Sequence, residues 1–168
     1  MAIVIFISFS IICFYKYFQS FPTNYIILAI YTLCHSYLIA CISTLYDQQS
    51  VLLAFGCTLN MFLALTVYAC FTKTDFTILG GFICCLLMMV LLFLILFSFV
   101  ISILNLAIIC VMIGLLSLYI IWDTQLIVGG KHKAEMITLD DYCIAAIILY
   151  SDIISLFLQI LMLFGSKK

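Results

Sequence analysis

Six long apolar runs separated by short polar breaks account for almost all of this 168-residue chain. They cover Ala2 to Phe18, Tyr25 to Tyr46, Val51 to Phe71, Phe76 to Val100, Ile103 to Val128 and Tyr142 to Phe164. Each is close to or above the roughly 20 residues that a helix needs to cross a hydrocarbon core of about 30 Å. The breaks carry turn chemistry: Ser20-Phe21-Pro22-Thr23-Asn24, Asp47-Gln48-Gln49, Thr72-Lys73-Thr74-Asp75 and Gly129-Gly130-Lys131-His132-Lys133. The boundary near Val100 to Ser102 is the weakest marked. A backbone in lipid must satisfy its own hydrogen bonds, so such runs predict helices. The expected fold is all-α: one integral membrane domain over residues 1–168, a polytopic bundle of six apolar helices with the last one central or re-entrant.

Local signals refine the picture. Pro22 stands just before a helix start, where its missing N–H costs nothing. Thr138, Asp140 and Asp141 lead into the last run, placing cap and acidic residues where a helix dipole favours them; this points to capping rather than catalysis. Ala2 to Cys13 has the apolar character of a signal peptide, but no basic residue precedes it and the run continues to Phe18, so it is read as a membrane helix. Lys16, Lys73, Lys131 and Lys133 fall in alternate loops, which makes those loops cytoplasmic by the positive-inside rule. A sixth full crossing puts Lys167-Lys168 on the other face, against that rule, and a re-entrant last segment would return them. Length alone leaves both open.

Composition fixes the class. Hydrophobic residues make up 68% of the chain, charged residues only 8%, and mean hydropathy is +1.43, which belongs to a membrane protein. The net charge of -1 comes without a basic run or stacking platform, which excludes a nucleic-acid binder. The nine cysteines include no C-x-x-C spacing, and only Cys84 and Cys85 are adjacent. They are read as small buried hydrophobes rather than a metal or disulfide framework.

Against this background Asp123 and Asp152 stand out, one near the end of an apolar run and the other inside the next. An acidic residue at mid-bilayer costs about 2.5 to 3.5 kcal/mol on insertion scales, so it needs a partner or a proton. On the last run Asp152, Ser155 and Gln159 share a helical face with Ala145 and Ile148. On the fifth, Tyr119 lies one turn before Asp123, and Asn105 falls roughly on the same line. A short polar loop joins the two runs, so an antiparallel hairpin can bring the acids together. At a separation of about 4 Å two full charges would repel by about 4 kcal/mol at an effective dielectric of 20, and the pair would share a proton. Protonated, it closes as a latch; deprotonated, it repels or recruits a hard cation such as Ca²⁺. The alternative is a hydrogen-bonded carboxylate that fixes helix packing and conducts nothing. His35, in the middle of the second run, can protonate or pair with either acid, or can simply be a satisfied interior histidine.

Two acids on neighbouring membrane helices also describe an intramembrane aspartyl protease. Such enzymes resemble one another in a Tyr-Asp on one helix and a Gly-x-Gly-Asp on the next. Here the contexts are Ile121-Trp122-Asp123 and Leu149-Tyr150-Ser151-Asp152, so no enzyme is expected.

The stretch from Tyr119 to Lys133, with Trp122-Asp123-Thr124-Gln125 at its centre, and the stretch Leu149-Tyr150-Ser151-Asp152-Ile153-Ile154-Ser155-Leu156-Phe157-Leu158 resemble the signature of the Bax-inhibitor/lifeguard transmembrane family. Phe21-Pro22-Thr23-Asn24, Ala64-Leu65-Thr66-Val67-Tyr68 and Thr72-Lys73-Thr74-Asp75-Phe76 agree in order. The resemblance implies a helical membrane protein with a central last helix. It matches Asp123 and Asp152 to the paired aspartates of a pH-responsive Ca²⁺ leak, with roles in restraining cell death and setting store calcium. Members usually carry one more helix before the segment matching Ala2 to Phe18, and often a glutamate where this sequence offers His35. The first difference would leave a lipid-exposed groove beside the central helix, and the second replaces an anionic ligand by a neutral or cationic one.

The resulting expectation is a pH-sensitive Ca²⁺ leak or cation-homeostasis regulator of an internal membrane, endoplasmic reticulum or Golgi. Asp123 and Asp152 would form the gate and meet the ion, with His35, Tyr119, Ser155, Gln159 and Asn105 in support. Ca²⁺ is the transported ion, and no cofactor is expected. The alternative is a non-conducting membrane protein that regulates apoptosis by binding death regulators or full-length relatives.

Overall fold

The structure, a computed structural model, describes residues 21–74, 76, 86, 89–90, 102–129 and 141–166, the side chains of 102–105 excepted. Four long helices form among these residues: α1 Thr23–Ser43, α2 Gln48–Phe71, α3 Ser102–Val128 and α4 Tyr142–Phe164. All four are long and apolar enough to cross a membrane, which makes the chain a multi-pass integral membrane protein. The expectation of six helices is corrected: the described residues hold four. The runs Ala2 to Phe18 and Phe76 to Val100 lie outside the described residues, apart from Phe76, Leu86, Met89 and Val90.

Helix ends follow local chemistry. Gly129 has φ 65° and donates its N–H to the Gln125 carbonyl at 3.2 Å, the left-handed stop that favours glycine. Asp141 is the N-cap residue of α4 but makes no capping hydrogen bond from its side chain; its charge stands at the positive end of the helix. Thr138 and Asp140 lie outside the described residues.

Apolar surface drives little association in lipid, so contacts between helices rest on close packing and on polar groups that find partners. Here α4 packs against all three other helices, and α3 also packs against α2. The main apolar cluster gathers Tyr46, Ala54, Leu116, Ile120, Leu156, Phe157, Ile160 and Leu161. A second joins Ile144 and Ile147 of α4 to Ile27, Leu28 and Tyr31 of α1.

Polar clamps at the two ends set the topology. At one end Asn24 Nδ2 donates to Tyr142 Oη at 2.9 Å, bringing the starts of α1 and α4 together and making them parallel. At the other end Asp47 N–H donates to the Ser166 carbonyl at 2.9 Å, and Ser166 N–H donates to Ser50 Oγ at 3.1 Å. The α4 helix is therefore one unbroken crossing, and its end emerges beside the α1–α2 turn. Fully buried Gln125 grips the chain after α2: its Nε2 donates to the Thr74 carbonyl at 3.0 Å, and its Oε1 accepts from Phe76 N–H at 2.9 Å. That grip puts Lys73 on the side where α3 ends and α4 begins, opposite Ser166.

Two outcomes follow. Gln125→Leu leaves a backbone donor and acceptor without partners and is expected to cost about 2 kcal/mol or more, read as a lower unfolding temperature in detergent, with Gln125→Glu intermediate. In sealed vesicles, a tag following Lys168 should share protease accessibility with a tag inserted at Asp47 and differ from one at Lys73. A tail that partitions with Lys73 contradicts the unbroken crossing.

Candidate functional site

Asp152 is the eleventh residue of α4, about 15 Å along it at 1.5 Å per residue, and is 4% exposed. Asp123, one turn beyond Ile120 on α3, is 3% exposed. Their carboxyl groups are near enough to interact across the α3–α4 contact. The Oδ2 atom of each is buried with no donor among the described residues. Two ionised carboxylates have only acceptors to offer each other.

The surroundings are sealed unevenly. Leu116, Ile120, Leu156 and Ile160 continue the two facing stripes toward the Ser166 end as a dry apolar cluster. Beside and just beyond Asp123, α3 places Trp122, Thr124 and Gln125, of which Trp122 Nε1 and Thr124 Oγ1 are buried without partners among the described residues. The acid pair thus lies in a band of polar groups above an apolar seal.

The remaining predicted residues divide. Ser155 and Gln159 are buried on α4, and Gln159 Oε1 has no partner among the described residues. Tyr119 packs its ring on Trp122 at 5.2 Å, on the turn preceding Asp123. The backbone of Asn105 belongs to α3, but its side chain lies outside the described residues. His35, 6% exposed, is held by α1 and α4: its ring lies 4.3 Å from Tyr31 and 6.0 Å from Tyr150. Its Nδ1 approaches the Tyr31 carbonyl at 3.3 Å, and its Nε2 approaches Tyr31 Oη at 3.4 Å.

Sequence reasoning missed Tyr31 and Ser151, which join His35 to the acid-bearing helix through a 2.6 Å hydrogen bond between their hydroxyls. Tyr31 sits four residues before His35, the spacing at which helical side chains touch. Ser151 directly precedes Asp152, but its partner lies 120 residues away. Among the described residues no cluster of three or more His, Cys, Asp or Glu side chains could hold a metal.

A family model described as "Inhibitor of apoptosis-promoting Bax1" matches residues 1–168. The chain belongs to the Bax inhibitor family. It is 30% identical to Protein lifeguard 3 of Mus musculus over 154 residues, 89% of this chain and 49% of that protein. It is also 37% identical to Protein lifeguard 4 of Mus musculus over 146 residues, 83% of this chain and 57% of that protein, and 29% identical to human Protein lifeguard 3 over 155 residues. The chain thus spans about half the length of the curated relatives it matches. The family is linked to restraint of apoptosis, and its members are in general membrane proteins rather than enzymes.

The pair's geometry separates two substitutions. Asp152→Asn supplies an N–H donor to Asp123 and should leave stability in detergent within about 1 kcal/mol of the parent at neutral pH. Asp152→Ala leaves Asp123 a lone buried acid beside a void and should cost about 2 to 4 kcal/mol.

Proposed function

We propose that this chain is a pH-sensitive Ca²⁺ leak of an internal membrane, endoplasmic reticulum or Golgi, gated by the protons of Asp123 and Asp152. The observation that carries this reading is the meeting of the two carboxyls between α3 and α4, each with a buried oxygen that lacks another donor. With one proton between them the pair ties α3 to α4 and the apolar cluster below stays closed. With that proton gone, two charges at close range repel by several kcal/mol; the helices part, and the freed oxygens offer a hard cation the ligands it prefers. Raising the pH on the side that reaches the pair therefore opens the leak, and lowering it closes the latch.

Ca²⁺ flux into dye-loaded proteoliposomes tests this. The parent chain should conduct more as pH rises through neutrality, and Asp152→Asn should lose that pH dependence. Flux with unchanged pH dependence in Asp152→Asn refutes the gate.

One observation favours a second reading, a non-conducting protein that restrains cell death by binding other membrane proteins. In α1 only Asn24 and His35 are buried, so most of that helix faces outward among the described residues. Under this reading, parent and Asp123→Asn/Asp152→Asn proteins both fail to conduct, and both retain the same membrane partners.

A further inference from the structure

Residues three and four apart share a side of a helix, and by that rule α2 has two distinct faces. One turns inward on Ala54, Thr58 and Ala69, which are buried. The other carries Leu53, Gly56, Asn60, Leu63, Ala64 and Val67 and looks away from the rest of the described bundle. On it Leu53, Leu63 and Val67 are 53 to 56% exposed, Asn60 and Ala64 are exposed, and a Cβ added at Gly56 would meet nothing within 4 Å. Five of these six residues are ordinary covering for a helix in lipid. Asn60 is not. It stands about 18 Å from Gln48 and about 16 Å from Phe71 at 1.5 Å per residue, midway through a hydrocarbon core of about 30 Å. A side chain of two carbons cannot carry its amide to either boundary.

The amide has two N–H donors and an acceptor oxygen. Among the described residues Nδ2 donates to the Gly56 carbonyl at 2.9 Å, which leaves one N–H and Oδ1 directed at a medium that can neither donate nor accept. The apolar run that follows α2 in the chain, Ile78 to Phe97, contains no amide, hydroxyl or charged side chain to meet them. Polar side chains on membrane helices act as points of association, and small residues beside them let two backbones approach closely. A second Asn60 is a fitting partner, because donor and acceptor lie in one group and two facing amides satisfy each other with a reciprocal pair of hydrogen bonds. Two copies lying in one bilayer with the same orientation are related by a two-fold axis along the membrane normal, which sets a residue opposite itself. Gly56, one turn from Asn60, lets the helices come near enough for such short side chains to meet.

We infer that the α2 face centred on Gly56 and Asn60 is the surface on which two copies of this chain associate in the membrane. The Asn60 amides exchange hydrogen bonds across the two-fold axis, and Leu53, Leu63 and Val67 pack on either side of them. The inward face of α2 stays committed to α3 and α4, so pairing leaves the contact between Asp123 and Asp152 inside each copy. The inference stands independently of how that acid pair is read.

Förster transfer between donor-labelled and acceptor-labelled full chains in liposomes, taken over a range of protein-to-lipid ratios, tests it without any flux measurement. The parent should associate, and Asn60→Leu and Gly56→Leu should each raise the dissociation constant by about tenfold or more. Asn60→Gln keeps an amide at the same height and should recover most of the association. Tyr37→Ala, on the exposed side of α1, should change nothing. Both α2 positions face open space, so the fold is not at stake, and circular dichroism checks helix content in the same samples. A benzophenone side chain placed at Leu63 should give, on illumination, a product of twice the chain mass. A parent that stays monomeric at every ratio overturns the inference. So does association that Asn60→Leu leaves unchanged, and so does a Leu63 crosslink confined to its own chain.

Discussion

Two carboxyl groups facing each other between α3 and α4 impose the constraint around which this molecule is organised. In water such a pair would solvate itself; between membrane helices each acid must find a proton, a donor or a cation. Asp123 and Asp152 have each other, which links the two helices through a polar contact in a medium where apolar surface gives little reason to associate. The helix that carries Asp152, α4, is central, in contact with every other described helix.

Beyond the pair, specificity comes from a few hydrogen bonds at the membrane edges. Asn24 with Tyr142 sets α1 parallel to α4. Gln125 holds the chain after α2 against the end of α3, and the Asp47–Ser166 bond fixes where α4 emerges. Each joins residues far apart in sequence, and each satisfies a group that would be expensive to leave bare near lipid. Packing fills the space between these fixed points, with Tyr46 and Phe157 as the bulky members of the lower cluster.

The family's signature residues acquire different physical roles in this arrangement. Asp123 and Gln125 are two residues apart and point to different partners, one to the acid on α4 and the other to the backbone of Thr74 and Phe76. His35 is held by Tyr31 and Tyr150 and linked through Tyr31 to Ser151. It lies close to the acid-bearing face of α4 without being a member of the pair.

Much was legible in the chain alone. Unbroken apolar runs announce membrane helices, because a backbone in lipid has no other way to pair its N–H and C=O groups, and α1, α2, α3 and α4 fall within a few residues of four of those runs. Two aspartates in such runs attract notice by cost, and the short loop between them predicts the hairpin. Helical periodicity carried the argument only as far as the stripe of Asp152, Ser155 and Gln159. The number of helices, the unbroken crossing of α4, the parallel pairing of α1 with α4, the grip of Gln125 and the outward face of Asn60 belong to the tertiary structure. A helix surrounded by lipid is apolar on nearly every side, so its sequence fixes that it spans and not which face it turns inward; that is set by hydrogen bonds between residues such as Tyr31 and Ser151, 120 positions apart, which no local pattern can encode.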